Sequence, residues 1–302
     1  MRIARELVRA GNHRREMIAH TGVPGTMPQQ LVPFGPYATA HYVEGKGPAA
    51  LLLHGIGPGT SIPANFGALI NALKGECTLI GIDLVGFGGS AQKTEGELFD
   101  FPLWVAQAAA ALDRLPGPVN VIGHSLGGAL ALSLAATHPK VGSVVVTGTG
   151  GAPLRLPPEL DRFWSIPQTV NDLKTAMLPT FFDQSLVTDE IVEDRFRMLT
   201  AGGTGAYFDR MMAGRKQENL DSARIPPELL KKIEQRTLFI HGKNDVLSPV
   251  EETALPMSRL VKRSDIALLS ACGHNPLRER LPTSLALIRD FFAETACAAA
   301  AA

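Results

Sequence analysis

The chain has 302 residues, of which 45% are apolar and 19% charged, a composition that excludes a disordered, collagen-like or coiled-coil protein. Lys plus Arg and Asp plus Glu both number 29, so the formal charge is zero. No global field therefore draws the chain to nucleic acid or to an anionic membrane, and a small-molecule substrate is the expected partner.

The N-terminal stretch carries Arg2, Arg5, Arg9, Arg14 and Arg15. No apolar segment follows them, so the stretch does not read as a secretory signal. Ile3, Leu7 and Ala10 have helical spacing and predict a short amphipathic helix within an N-terminal extension over 1–37. From residue 38 the pattern alternates. Short apolar runs at Thr39–Val43, Ala49–Leu53, Thr78–Ile82, Val119–Ile122, Val144–Thr147, Leu238–Ile240 and Ile266–Leu269 predict strands. Their lack of alternation suits strands buried on both faces. Helical patterns separate them at Phe66–Leu73, Pro102–Leu115, Leu126–Thr137, Val250–Val261 and Thr283–Phe292. This order predicts an α/β core over 38–150 and 228–293, a mainly parallel sheet with helices on both faces.

Between the two halves of that core, 151–227 has helical periodicity and no strand run. A helical insertion is expected, covering the strand ends as a lid. Its Phe163, Trp164, Met177, Phe181, Phe208 and Met211 are expected chiefly to pack the insertion itself. An Ala-rich tail over 294–302 closes the chain. No run approaches the ~18 apolar residues of a membrane span. Cys77, Cys272 and Cys297 show no paired spacing, which predicts a reducing compartment, the cytoplasm. Cys272 precedes His274 by two residues, yet a small apolar residue is expected there rather than a thiol nucleophile.

Gly123-His124-Ser125-Leu126-Gly127 fits G-x-S-x-G, directly after one strand run and directly before a helical one. Such a turn strains the serine backbone, demands small residues on either side and lifts the hydroxyl above the sheet at a helix N-terminus. A serine hydroxyl needs a base, and the base an orienting acid. His274 follows the run Ile266–Leu269 and is the best-placed base. His13 and His20 lie in the extension, and His138 ends a helix. His124 cannot fold back on its neighbour, while His54 and His241 suit support roles. Asp245, in Gly242-Lys243-Asn244-Asp245, is the expected acid, since the loop after Val144–Thr147 holds no carboxylate. An oxyanion hole needs two converging N–H groups. Leu126 is expected to supply one. His54-Gly55-Ile56-Gly57-Pro58-Gly59 supplies the other, from Ile56 or next from Gly57, its glycines letting the backbone approach the substrate.

The same glycines, with Asp83 closing the next strand, imitate a dinucleotide fingerprint. The imitation fails in detail: Thr60 stands where the third glycine belongs, and Pro58 lacks an N–H. There is no H-E-x-x-H and no His pair at i, i+4, so neither a metal nor a cofactor is expected.

Over roughly residues 38–293 the chain resembles the α/β-hydrolase-fold serine hydrolases, and among them it is most similar to the meta-cleavage product hydrolases. The stretches that carry the resemblance are Leu52 to Gly59 with Asn65-Phe66, Asp83 to Gly88, Gly123 to Gly128, and Ser185 to Glu190 leading to Arg195. The resemblance implies an α/β-hydrolase fold, a Ser125–Asp245–His274 triad, and cleavage of a C–C bond in a 2-hydroxy-6-oxo-dienoate during aromatic-ring breakdown. It implies that Asn65 and Arg195 bind the substrate's carboxylate end, with Gly55, His124 and Asn275 also lining the site. It further implies a homodimer or higher homo-oligomer. Two positions depart from that family: Asn275 stands where it usually has Trp, and His124 where many members have Asn. These departures keep open a carboxylesterase or lactonase on the same triad, and a non-enzymatic small-molecule binder as a minor alternative.

Overall fold

The computed structural model describes residues 27–300, with side chains described to residue 294. The helix predicted around Ile3, Leu7 and Ala10 lies outside the described residues. Eight strands form one sheet among them: β1 (Gln29–Phe34), β2 (Tyr37–Gly45), β3 (Ala49–Leu53), β4 (Thr78–Ile82), β5 (Val119–His124), β6 (Val141–Thr147), β7 (Arg236–Gly242) and β8 (Ser264–Leu269). Their order is β1-β2-β4-β3-β5-β6-β7-β8. The edge pair β1 and β2 is antiparallel, and β2 runs antiparallel to β4. From β4 to β8 every neighbour is parallel.

The apolar runs are continuous because both faces of the sheet are covered. Leu51 and Leu53 of β3 point into one core with Trp104 and Leu130. Ala50 and Leu52 point into the other with Phe66 and Ile288. The first core is closed by α2 (Phe101–Asp113) and α3 (Leu126–Thr137), and the second by α1 (Ile62–Leu73) and α12 (Leu281–Ala300). Helix α3 is buried all round, from Leu126 to Ala135, as its sequence, apolar but for Ser133 over that stretch, requires.

Between β6 and β7 the chain is helical. It forms α4 (Pro158–Phe163), α5 (Val170–Met177), α6 (Asp189–Thr200), α7 (Thr204–Met212), α8 (Lys216–Ser222) and α9 (Pro227–Leu230). Here the large side chains do not form a separate core. Phe163, Trp164, Met177, Phe181, Phe208 and Met211 join the same cluster as the sheet.

Three sequence expectations are corrected. Strand β1 falls in the stretch assigned to an extension without strands. It has one neighbour, β2, and its pattern is mostly exposed, so it never needed an apolar run. Helix α1 begins four residues earlier than expected, where Ser61 accepts a hydrogen bond from the Ala64 N–H at the N-cap. The helix expected over Val250–Val261 shrinks to α10 (Ala254–Ser258). Pro256 has no N–H to bond a preceding turn, so the helix starts just before it.

Candidate active site

The parallel strands deliver their C-terminal loops to one edge of the sheet, where such folds hold their ligands. The loop after β5 is the sharpest. Ser125 has φ 55° and ψ −122°, and its N–H bonds the Thr147 carbonyl of β6 at 2.9 Å. A β-carbon at Gly127 would lie 2.0 Å from the Leu53 carbonyl oxygen, and one at Gly123 2.2 Å from that of Gly127. The elbow therefore needs glycine on both sides of the serine because backbone, not side chain, occupies the space.

Asp245 follows β7. Its Oδ1 accepts from the Leu247 and Ser248 N–H groups, both at 2.9 Å. Its Oδ2 accepts from His274 Nδ1 at 2.8 Å. That bond fixes the His274 tautomer, leaving Nε2 toward the cavity that Ser125 and His274 both line. Burial raises the Asp245 carboxyl, but His274 and His241 outweigh it and hold it well below the usual carboxylate range. Ser125 Oγ makes no hydrogen bond to another described residue.

The loop after β3 lies over the serine. His54 is fully buried and held neutral by burial. Its Nε2 accepts the Leu84 N–H at 3.0 Å, so Nδ1 donates to the Gly55 carbonyl at 2.7 Å. Asn65 Oδ1 accepts the Gly55 N–H at 2.9 Å. These bonds hold the loop, and the Ile56 and Leu126 N–H groups have no acceptor among the described residues. Gly57 and Gly59 serve a purpose different from the expected one. A β-carbon at Gly57 would lie 2.6 Å from the Phe163 ring, and one at Gly59 2.4 Å from the Arg195 carbonyl oxygen. They let helices α4 and α6 approach, rather than the substrate, and Gly57 does not line the cavity.

Asp83, the acidic residue of the imitated fingerprint, is fully buried and engaged. It accepts from the Ile62 N–H, the Gly89 N–H and the Tyr42 hydroxyl, which leaves nothing for a ribose. Cys272 is also fully buried, and burial with the nearby Glu279 pushes its thiol up. It has no nucleophile's environment. Among the described residues no group of three or more His, Cys, Asp and Glu is placed to hold a metal ion. No described helix is long and apolar enough to cross a membrane.

Two chambers meet at Ser125. One is polar, and all five sequence-derived substrate candidates line it: Gly55, Asn65, His124, Arg195 and Asn275. The other is more apolar and is lined by Leu154, Leu160, Trp164, Leu220 and Leu247, among others. Ile56, Phe163 and His274 are shared between them. Arg195 turns inward from α6, although Glu193 and Asp194 flank it. Its Nε donates to the Pro58 carbonyl at 2.6 Å and its Nη2 to Thr60 Oγ1 at 2.7 Å, with the guanidinium 5.4 Å above the Phe163 ring. His124 Nδ1 lies 3.1 Å from both oxygens of Thr147, and its ring centroid is 5.1 Å from that of His274. Burial, with the charge of His274, lowers the His124 pKa to about 3, so it is a neutral wall of the chamber.

Asn275 faces the chamber but gives its amide to Thr180, donating to the carbonyl at 3.0 Å and to Oγ1 at 3.3 Å. The His274 N–H also donates to the Thr180 carbonyl, at 2.9 Å. Glu279 strengthens this seam. Its Oε2 accepts the Phe182 and Asp183 N–H groups, and its Oε1 those of Gly273 and Asn275. Sequence reasoning missed Thr180, Glu279 and Arg278, another residue lining the polar chamber. The available signal for Arg278 was its place one helical turn after His274.

A mostly parallel sheet, a strained serine between strand and helix, and a buried Asp–His pair beside it define a hydrolase of the α/β type. The chain belongs to the alpha/beta hydrolase family, whose sequence model matches residues 50–282. It is similar to the 2-hydroxy-6-oxo-2,4-heptadienoate hydrolase of Pseudomonas putida, 31% identical over 87% of this chain and 96% of that protein. It is similar also to the 2-hydroxymuconate semialdehyde hydrolase of a Pseudomonas species, 28% identical over 85% of this chain and 90% of that protein. Among solved structures, a meta-cleavage product hydrolase from Pseudomonas fluorescens superposes with a TM-score of 0.82 at 27% identity, covering 88% of this chain and 97% of that one.

Proposed function

We propose that this enzyme hydrolyses the C–C bond of a 2-hydroxy-6-oxo-dienoate, using Ser125, His274 and Asp245. The observation that carries this reading is the position of Ser125 where a polar chamber holding Arg195 meets an apolar one. A molecule with a carboxylate at one end, an apolar group at the other and a ketone between them fits that division. The names of the relatives support the same substrate class.

The chemistry follows from the atoms at the junction. The dienol first takes its keto form, which makes the bond beside the ketone breakable. His274 Nε2 accepts the proton of Ser125, or of a water held beside it, as oxygen adds to the ketone carbon. The oxyanion that forms is held by the Ile56 and Leu126 N–H groups. Asp245 stabilises the imidazolium. The C–C bond then breaks, its electron pair passing into the dienolate, which is protonated to a 2-hydroxydienoate. The other fragment leaves as a carboxylic acid once water has supplied its hydroxyl.

The deciding experiment follows loss of the yellow absorbance of a 2-hydroxy-6-oxo-hexa-2,4-dienoate bearing a 6-phenyl or 6-methyl group. Wild type should bleach it, and Ser125→Ala should be slower by a factor on the order of 10³ or more. Cleavage of aryl esters without bleaching of the dienoate would reject C–C hydrolysis and leave an esterase on the same three residues.

A further inference from the structure

Arg278 lies on α11 (Pro276–Glu279), the single turn that follows His274. It lines the polar chamber with Ser125, Asn65 and Arg195. Its guanidinium makes no hydrogen bond and no ion pair with any described residue. The nearest acid in sequence, Glu279, is spent on four backbone N–H groups. Among the described residues the chamber wall contains no Asp or Glu. Burial lowers the Arg278 pKa, and the charge of Arg278 adds to burial in lowering that of Arg195 to about 9. Two cations therefore share one chamber with no anion between them among the described residues.

Such an arrangement is costly. Both side chains are half-buried, and a charge partly withdrawn from water gains from an anionic partner. The two guanidiniums are not equivalent. Arg195 already has two N–H directions committed, to Pro58 and Thr60, and is stacked on Phe163. Arg278 has its whole fork free, the geometry that grips a carboxylate through two parallel bonds.

We propose that Arg278 is the principal carboxylate anchor of the substrate site, and that the chamber takes the 2-oxo- or 2-hydroxy-carboxylate end of its ligand between Arg278 and Arg195. This inference rests on the reading above only in supposing an acid-bearing ligand; it does not require that a C–C bond is broken.

The test is calorimetric titration of the intact protein with 2-oxopentanoate, a stable small acid of this class, and with 2-pentanone, which lacks the carboxylate. Wild type should bind 2-oxopentanoate and not 2-pentanone. Arg278→Gln should weaken binding at least about ten-fold, the scale of one charged hydrogen-bonded contact. Arg278→Lys should fall between, keeping the charge without the fork. Arg195→Gln should lose less than Arg278→Gln. Because the unpaired charge is removed, Arg278→Gln should melt no lower than wild type, which separates an anchor from a structural arginine. Equal affinity in wild type and Arg278→Gln, or no binding to wild type, overturns the proposal. Arg278-dependent binding in an enzyme that fails to bleach dienoates upholds it while removing the C–C reading.

Discussion

Oδ2 of Asp245 lies 2.8 Å from His274 Nδ1 and 3.1 Å from His241 Nε2. His241 is almost fully buried, and its Nε2–H is shared between Asp245 and the Ser248 carbonyl at 2.7 Å. Its Nδ1 is the buried side-chain atom left without a hydrogen-bond partner among the described residues. The ring therefore clamps the same carboxylate oxygen that holds the base. His241→Phe keeps the volume and removes the clamp. Steady-state kinetics should show kcat lowered by about ten-fold with KM nearly unchanged, the behaviour of a positioning residue. His241→Gln should recover part of the loss. A change confined to KM would assign His241 to substrate binding instead.

Stability should fall with acid because His124 is buried neutral. Its folded pKa is lowered to about 3 from an ordinary value near 6.5, so between these limits the unfolded chain binds more protons than the folded one. Folding stability then rises with pH across that window and falls as pH drops below 6.5, by up to about 1.4 kcal/mol per pH unit. His124→Asn removes this contribution. Urea unfolding at pH 7 and pH 5 should show wild type losing about 2 kcal/mol more than the variant between the two conditions. Equal losses would mean that His124 is protonated in place.

The elbow stores strain that Ser125 itself bears. A non-glycine residue at φ 55° and ψ −122° costs on the order of 1–3 kcal/mol. Ser125→Gly should raise the thermal midpoint while abolishing turnover. Gly127→Ala should do the reverse of stabilising, losing about 3 kcal/mol as its methyl meets the Leu53 carbonyl. A Gly127→Ala protein as stable as wild type would mean that the elbow relaxes freely.

The apolar chamber should set which 6-substituent is accepted. Leu160 and Trp164 both line it, and Leu160→Trp would take up part of its space. The ratio of kcat/KM for a 6-phenyl over a 6-methyl dienoate should drop by about ten-fold or more, the scale of a lost hydrophobic fit. An unchanged ratio would place the substituent outside this chamber.

The parallel strands were legible because burial on both faces writes itself as unbroken apolar runs such as Ala49–Leu53. Strand β1 was not, since an exposed edge strand containing Pro33 carries no such pattern. The grouping of Ser125, Asp245 and His274 could be read because each sits just beyond a strand of known direction. Gly57 and Gly59 were misjudged because their partner, the Arg195 segment, lies far along the chain and no local rule announces it. Arg278 was missed for a related reason: what distinguishes it is the lack of a partner among the described residues, and a sequence does not display an absence.

The seam at Thr180 and Glu279 has a mechanical meaning. The backbone of the base and the rim of the helical cover are stitched to a single carboxylate and a single carbonyl. The segment carrying His274 is therefore held from both directions, by Asp245 through the ring and by the rim through the backbone. Cover and proton acceptor are thus built as one piece, the roof of the site serving also as the mount of its base.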